Sequence, residues 1–439
     1  MIQTDTIINA KWIIPIEGEQ EVLTHHSIII TGSKIIDILP TEQARQRYQG
    51  TETLELEQHA VMPGLINAHT HASMNLLRGF ADDLALMDWL QNHIWPAEAK
   101  HVGPEFVYEG TQLAIAESIR SGVTCFNDMY FFPDEAAKAV DQAGFRACIG
   151  LIVIDFPTVW AGNADEYLSK GLALHEQYRH HERVITAFAP HAPYTVSDEP
   201  LKKIASLAEE LDIPIHMHVH ETAFEVMQAE QEKGVREISR LKQLGLISPR
   251  LMAVHMTQLN EAEIQLCAEN QVNVVHCPES NLKLASGFSP VHQLQQAGVN
   301  VCIGTDGAAS NNDLDMLGEL RSAALIAKAV ACDPSAIPAH TALTMATLNG
   351  AKALGIADKV GSLKVGKEAD IIAIDLDTLE TQPLYNPVSQ IVYSCNRNQV
   401  THTWVAGRKL MDNRKLTTLD EKHLLSNARV WYEQLKESH

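Results

Sequence analysis

The sequence predicts an α/β fold: a TIM-type (βα)8 barrel with a small β-sandwich domain built from both chain termini. Three observations predict it. Eight short apolar runs alternate with longer amphipathic runs between about residues 61 and 355, both flanks carry strand and turn patterns, and the chain has 439 residues. A chain of that length is too long for one ordinary core, so we expect two domains.

The eight apolar runs are nearly continuous, which is typical of parallel strands buried on both faces. They lie at 61–68, 122–128, 147–155, 184–189, 213–219, 251–255, 272–276 and 299–304. Helical patterns separate them at 104–121, 133–143, 164–181, 197–211, 222–244, 261–270 and 290–297, and another follows at 313–331. Eight strand–helix units predict a closed barrel of parallel strands.

The two flanks contain strands and turns without helices between them. Residues 28–37 are predicted to form two strands across a tight turn, and 369–375 and 403–410 to form further strands. We therefore predict a small β domain from residues 1–60 and 356–439, with the barrel domain, 61–355, inserted between its halves. The stretch 419–436 is predicted to be a C-terminal helix.

The composition restricts the class of partner and the compartment. The formal net charge is −21, from 34 basic and 55 acidic residues, so we expect neither a nucleic-acid nor a membrane partner. The N-terminal residues lack the pattern of a signal peptide, and the longest apolar stretch is too short to cross a bilayer. Seven cysteines without a C-x-x-C pair predict reduced, mostly buried thiols and a cytoplasmic location.

Polar residues follow the predicted strands at the end where such barrels carry their chemistry. In strand order these residues are His69 and His71, His191, His218, His255, His276 and Asp306. The strands were chosen on apolar content alone, so this clustering predicts a catalytic metal site. His69, His71, His218 and Asp306 are the predicted ligands, because imidazole and carboxylate suit zinc or iron. With a water they would give five-coordination.

Three residues beside the predicted metal are assigned acid/base roles. Glu221 lies three residues after His218, where it can shuttle a proton without binding the metal. His255 is placed to hydrogen-bond the hydroxide or the developing oxyanion, and Asp306 to accept the water's proton as well. His216 and His220 are expected to be packed or supporting residues, and His276 either supporting or structural. Five histidines are predicted to face solvent: His25, His26, His180, His181 and His439.

These motifs resemble those of the amidohydrolase superfamily along essentially the whole chain. The matching segments are PGLINAHTH (63–71), APHAPY (189–194), HVHET (218–222), AVHMTQL (253–259), HCPESNLKLASG (276–287), GTDGAASNND (304–313) and VGSLKVGKEADIIAID (360–375). Within the superfamily, Trp89-Leu90 followed by Pro96-Ala97-Glu98 is most similar to the 5'-methylthioadenosine/S-adenosylhomocysteine deaminases.

The resemblance implies a function and substrate contacts. Glu98 would bind the ribose hydroxyls, Trp89 would belong to the substrate site, His191 would contact the nucleoside, and Glu221 would contact the purine. A water activated by the metal would add to purine C6 while Glu221 protonates N1, and loss of ammonia would leave the inosine analogue. The resemblance also implies a homo-oligomer. Two-metal superfamily members place a carboxylated lysine after the fourth strand; none follows 184–189 here, so one metal is expected, zinc or alternatively iron.

One departure concerns the 5' substituent of the nucleoside. Relatives that accept S-adenosylhomocysteine are expected to offer arginine to its carboxylate, but the segment after the third strand, 155–160, contains none. Arg146 should lie at the wrong end of that strand, which leaves Arg78. An unpaired buried carboxylate is costly, so the sequence favours methylthioadenosine.

Two other functions stay open at this point. One is a related deaminase acting on guanine, another purine or an aminotriazine, which would share the metal site and Glu221 but need no ribose contact at Glu98. The other is a non-catalytic metal-dependent binding protein, which would have no use for Glu221 or His255.

Overall fold

The computed structural model describes residues 1–18 and 21–436, and in that part of the chain sixteen strands form two sheets. The strands are β1 (Ile2–Ile13), β2 (Leu23–Thr31), β3 (Lys34–Pro40), β4 (Tyr48–Pro63), β5 (Leu65–Thr70), β6 (Val123–Asp128), β7 (Arg146–Val153), β8 (Val184–Pro190), β9 (Ile215–Val219), β10 (Leu251–His255), β11 (Asn273–His276), β12 (Asn300–Ile303), β13 (Ile371–Asp375), β14 (Val400–Val405), β15 (Arg408–Asp412) and β16 (Lys415–Leu416).

Helices connect these strands and cover the barrel. The α-helices are α1 (Thr41–Arg47), α2 (Leu86–Asp88), α3 (Trp95–His101), α4 (Pro104–Arg120), α5 (Pro133–Ala143), α6 (Ala164–Tyr178), α7 (Asp198–Leu211), α8 (Ala223–Lys233), α9 (Glu237–Gln243), α10 (Glu261–Glu269), α11 (Pro278–Lys283), α12 (Val291–Gln296), α13 (Ala308–Asn311), α14 (Met316–Ala331), α15 (Ala339–Met345), α16 (Leu348–Ala353), α17 (Pro387–Tyr393) and α18 (Glu421–Leu435). Trp89–Ile94 is a π-helical turn, and short 3-10 helices lie at Ala72–Leu77, Leu379–Thr381 and Arg397–Gln399.

Strands β5 to β12 form the predicted barrel, in chain order and with every neighbouring pair parallel. The last strand returns to the first: the Asp306 N–H donates to the His69 carbonyl oxygen at 3.0 Å. At Gly304 a Cβ atom would lie 2.7 Å from the His69 nitrogen, so a side chain there would prevent this approach. The predicted fold class is confirmed.

Local sequence signals explain where several barrel helices begin and end. Asn260 and Glu263 form a capping box at the start of α10, in which each side chain accepts from the other residue's backbone N–H. The prediction of a single helix over 222–244 is wrong, because two helices, α8 and α9, occupy this range. Gly234, with φ 72°, ends α8, and α9 starts three residues later.

Both chain ends contribute to the second sheet, whose strand order is β16-β15-β14-β13-β4-β1-β2-β3. The late strand β13 pairs antiparallel with the end of β4, from Ile371 opposite Pro63 to Asp375 opposite His59. The first predicted barrel strand, 61–68, is therefore corrected. Residues 61–63 complete β4 in this sheet, and the barrel strand β5 begins at Leu65.

A buried ion pair joins the barrel to this sheet. Arg146, the first residue of β7, donates through Nε and Nη2 to the two carboxylate oxygens of Asp370 at 2.8 and 3.0 Å, and through Nη2 to Glu368 at 2.6 Å. The division into domains of 1–60 with 356–439 and of 61–355 stays a prediction. Within the described residues, no helix combines the length and apolar character that a bilayer crossing requires.

Candidate active site

Four side chains meet at the C-terminal end of the barrel, where the sequence predicted the metal ligands. The ligand atoms of His69, His71, His218 and Asp306 all lie within 4.8 Å of one another. The Nε2 atoms of His69 and His71 lie 3.3 and 3.2 Å from Asp306 Oδ1, and His218 Nε2 lies 3.2 Å from His69 Nε2. The strand register thus brings together three strand ends that are far apart in sequence.

The hydrogen bonds behind these rings fit a metal. His71 Nδ1 donates to the Met129 carbonyl at 2.6 Å, and His218 Nδ1 donates to the His191 carbonyl at 2.7 Å. A ring nitrogen that faces a carbonyl oxygen carries the proton, so each Nε2 is free to present its lone pair to a cation. Three imidazoles and one carboxylate at this spacing are a suitable donor set for zinc.

The carboxylate of the cluster is held in its charged form. Burial opposes ionisation, but contacts with His69 and His71 keep the pKa of Asp306 well below its usual range. Burial also opposes a charged His71, yet the Asp306 contact raises the pKa of that ring to about 9, so a metal that binds Nε2 would displace a proton from it. The Ser280 and Ser310 hydroxyls donate to Asp306 Oδ2 at 2.6 and 3.0 Å. The cluster therefore attracts positive charge, as a metal site must.

Glu221 and His255 lie beside this cluster. Both side chains are buried, and Glu221 Oε2 is 3.8 Å from His255 Nε2. Burial raises the pKa of Glu221, the nearby Asp306 raises it further, and His255 opposes the shift. His255 Nδ1 pairs with Asn281 Oδ1 at 2.9 Å. Sequence reasoning missed Asn281, although it lies in the segment 276–287 that carried the resemblance.

A cavity of about 510 Å³ opens over these residues. Its polar lining is concentrated in two places, the metal cluster with Glu221 and His255, and the carboxyl of Glu98. Most of the remaining wall is apolar: Leu86, Trp89, Leu90, Ile94, Trp95, Phe131, Ile152, Ile154, Phe156, Pro157, Val159 and Leu284. A pocket with few, well-placed polar groups suits a small organic ligand.

Glu98 reaches the cavity from α3, and Trp89 from the π-helical turn before it. Burial raises the pKa of Glu98 to about 7, although Tyr130 Oη, which donates to Glu98 Oε1 at 2.6 Å, opposes the shift. Trp89 Nε1 donates to the Ala81 carbonyl at 3.1 Å, which fixes the ring in the wall. Tyr130 was missed, but it lies two residues beyond the end of β6, where the strand-end rule would have found it.

The remaining histidines have different surroundings. His191 lines the cavity with its ring 4.9 Å from that of His218, and burial lowers its pKa to about 3, so the ring is neutral. His216 lies behind the cluster, with Nε2 2.8 Å from His69 Nδ1. His220 is buried outside the cavity lining, near Glu263, and His276 is buried without lining the cavity.

Of the histidines predicted to face solvent, His25 and His180 are exposed. His26 and His181 are half-buried and face solvent only in part: the His26 ring pairs with the Thr24 carbonyl, and the His181 ring pairs with Asp141 and accepts from two backbone N–H groups. His439 lies outside the described residues.

The sequence pattern of the amidohydrolase family matches residues 60–410, and the chain belongs to that family. More particularly, it is 50% identical over 438 residues to the 5-methylthioadenosine/S-adenosylhomocysteine deaminase of Teredinibacter turnerae, covering 99% of each chain. The crystal structure of an adenosine deaminase from Xanthomonas campestris with bound zinc superposes with a TM-score of 0.98, at 52% identity and 99% coverage of both chains. A triazine hydrolase variant, 24% identical with a TM-score of 0.90 over 97% of this chain and 99% of its own, shares the fold.

These relationships define the class of enzyme. The protein is a metal-dependent hydrolase of the deaminase type, and its cofactor is a single divalent metal ion. The predicted family, enzyme class and cofactor are confirmed, and the role of each site residue stays a prediction.

Proposed function

We propose that the protein hydrolyses the 6-amino group of 5'-methylthioadenosine, giving the inosine analogue and ammonia. One observation carries the proposal: three residues of the metal-ligand cluster (His71, His218 and Asp306), Glu221 and Glu98 line a single cavity whose outer wall is apolar. A purine at the cluster, a ribose at Glu98 and an uncharged thioether against the wall would match the three parts of that cavity. The 50% identical deaminase of Teredinibacter turnerae supports the same substrate class.

His69, His71, His218 and Asp306 are the residues that would hold the metal. A bound divalent metal would supply Lewis-acid activation of a water at neutral pH. We propose zinc, because the donor set suits it and the 52% identical adenosine deaminase contains it; iron(II) is the alternative.

We assign the proton transfers to the carboxyl groups of Asp306 and Glu221. Asp306 would accept the proton of the attacking water. Glu221, whose pKa is raised by burial, would donate a proton to purine N1 as C6 becomes tetrahedral. His255 lies 3.8 Å from the Glu221 carboxylate and would hydrogen-bond the attacking oxygen. Asp306 would then pass the proton taken from the water to the amino group, which leaves as ammonia, and Glu221 would accept the proton of the C6 hydroxyl, leaving the inosine analogue.

Binding and orientation are assigned to Glu98, Trp89 and His191. Glu98 as a carboxylate would accept from the ribose hydroxyls, and the Trp89 ring would pack on the nucleoside. His191, neutral and on the cavity wall, would hydrogen-bond the nucleoside through the ring nitrogen that does not face Thr195 Oγ1. Binding the substrate in a fixed orientation lowers the entropic part of the activation free energy.

The charge of the outer cavity favours methylthioadenosine over S-adenosylhomocysteine. Among the described residues, no lysine or arginine lines the cavity. Arg78 pairs with Glu117 and donates to the Asn312 carbonyl, and Arg146 lies in the ion pair with Asp370. A homocysteine carboxylate buried on this wall would lack a cation, which is costly.

Two further properties belong to the proposal. A cytoplasmic location fits the seven free cysteines, six of them buried. A homo-oligomer is expected from the resemblance, and sedimentation of the purified protein tests it.

The substrate proposal is tested by offering methylthioadenosine, guanine and an aminotriazine to the zinc-loaded enzyme and to the Glu98→Ala variant. We expect the wild type to release ammonia from methylthioadenosine alone and the variant to lose most of that activity. If the wild type turns over guanine or the aminotriazine, and Glu98→Ala does so equally well, the ribose contact is rejected. The alternative of a deaminase acting on those substrates is then favoured.

A further inference from the structure

The turn that carries Glu221 has an unusual backbone. The turn follows β9. His220, the residue directly before Glu221, has φ 51°, which lies in the left-handed region that favours glycine. A non-glycine residue stays in that region only where its surroundings hold it. The peptide groups of His220 and Glu221 are buried and bonded to side chains and backbone of two other segments.

The first of these segments is the start of α8. The buried Glu225 side chain accepts from the Glu221 N–H through Oε2 at 2.8 Å and from the His220 N–H through Oε1 at 3.2 Å. This differs from an ordinary capping box, in which the glutamate reaches the N-cap residue. The N-cap here is Thr222, whose hydroxyl accepts from the Glu225 N–H at 3.2 Å, and the Glu225 carboxylate reaches past it.

The second segment follows β10. The Thr257 hydroxyl donates to the Glu221 carbonyl at 2.7 Å, and the Thr257 N–H donates to the His220 carbonyl at 3.0 Å. Gln258 Nε2 donates to the Thr257 hydroxyl oxygen at 2.9 Å and so orients it. Thr257 is two residues from His255, so this contact also ties the Glu221 turn to the strand end that carries His255.

We propose that Glu225 and Thr257 are positioning residues that hold Glu221 from both sides, one through its backbone N–H and the other through its carbonyl. Neither residue lines the cavity, so each acts through Glu221. The inference rests on the proposed function, in which Glu221 donates a proton at purine N1. Its effect is to keep the Glu221 carboxyl at a fixed distance from the metal cluster and His255.

The test compares Thr257→Val, which removes the hydroxyl, with Thr257→Ser, which keeps it, and adds Glu225→Gln. We expect Thr257→Val and Glu225→Gln to lower kcat on methylthioadenosine by ~10- to 100-fold, as misplacement of a reacting group does, while KM changes by less than about 2-fold. Thr257→Ser should restore kcat. Thr222→Ala, which removes only the helix cap, should lower the melting temperature and leave kcat unchanged.

A second readout needs no substrate. Hydrogen exchange of the backbone amides in 216–224, followed by mass spectrometry, should be faster in Thr257→Val than in the wild type and Thr257→Ser. Wild-type kcat in either Thr257→Val or Glu225→Gln, or unchanged exchange in Thr257→Val, would overturn the positioning role. So would a Glu225→Gln variant that behaves like Thr222→Ala. Failure of the proposed function would appear separately, as a wild-type enzyme that does not turn over methylthioadenosine. The hydrogen-exchange comparison would then still test whether Thr257 holds the Glu221 turn.

Discussion

Glu221 is the residue on which the proposed chemistry depends most directly, because it is the proposed donor of the proton at N1 and is not one of the four cluster residues. Glu221→Gln should therefore lower kcat on methylthioadenosine by ~10²- to 10⁴-fold while bound metal stays at one ion per chain. Absorbance assays and elemental analysis measure the two quantities. The matched control is Glu230→Gln, an exposed glutamate on α8. A Glu221→Gln enzyme within a few-fold of wild-type kcat would reject the role.

The raised pKa of Glu98 predicts that the binding of methylthioadenosine depends on pH. Burial raises the pKa of its carboxyl to about 7, so it is neutral below that pH and charged above it. Only the charged form can accept from both ribose hydroxyls. The KM for methylthioadenosine should therefore rise as pH falls from about 8 to about 6. Glu98→Gln, which does not titrate, should show a higher KM that is flat over this range; a KM equal to that of the wild type would contradict the ribose contact.

At the scale of elements, the buried pair of Arg146 and Asp370 connects β7 to the terminal sheet. Removing one partner leaves the other charge buried and unpaired, so Asp370→Asn should lower the free energy of unfolding by about 3–5 kcal/mol in urea titrations. The folded variant should keep its kcat, since the pair lies at the opposite end of β7 from the site. The exposed Arg45 pairs with Glu42, and Arg45→Ala provides the control with little change. A stable Asp370→Asn variant would show that the connection is dispensable.

Elements with a clear hydrophobic period were predictable, and those defined by tertiary contacts were not. The strand at 251–255 and the helix at 133–143 have the predicted bounds, because every residue of the strand is buried and the buried residues of the helix recur with helical spacing. The helical segment around Glu98 was missed as structure, although its residues were singled out. Its aromatic side chains pack over the cavity rather than on one regular helical face, so no simple period marks it.

At the scale of the whole molecule, a metal ion held by His69, His71, His218 and Asp306 would connect three strand ends. Chelation should abolish deamination and lower the melting temperature, because the metal binds the folded chain in preference to the unfolded one. Added zinc should restore both in the wild type. In His218→Ala, which lacks one ligand, zinc should restore neither fully. Full activity in the chelated, metal-free protein would contradict the account.

The site was more predictable than its supporting contacts. A barrel places its strand ends on one face, so His69, His71, His218 and Asp306 could be grouped from their positions in the sequence. The strand-end rule reaches Tyr130 but gives it no partner, and it gives no role to Asn281 or Thr257, since the hydrogen-bond partners of these residues are visible only in the folded structure. The pairing of Arg78 with Glu117 is likewise visible only in the folded structure. Because of it, Arg78 does not supply a positive charge to the cavity lining.

We propose that this single-metal site deaminates an adenine nucleoside with an uncharged 5' thioether. The most direct measurement is the loss of adenine absorbance with methylthioadenosine, S-adenosylhomocysteine and adenosine, each given to zinc-loaded and chelated enzyme. The account predicts metal-dependent turnover with the highest kcat/KM for methylthioadenosine, at least ~10-fold above S-adenosylhomocysteine, since an unpaired polar group on the apolar wall costs more than about 1.4 kcal/mol. No turnover of any of the three would contradict it.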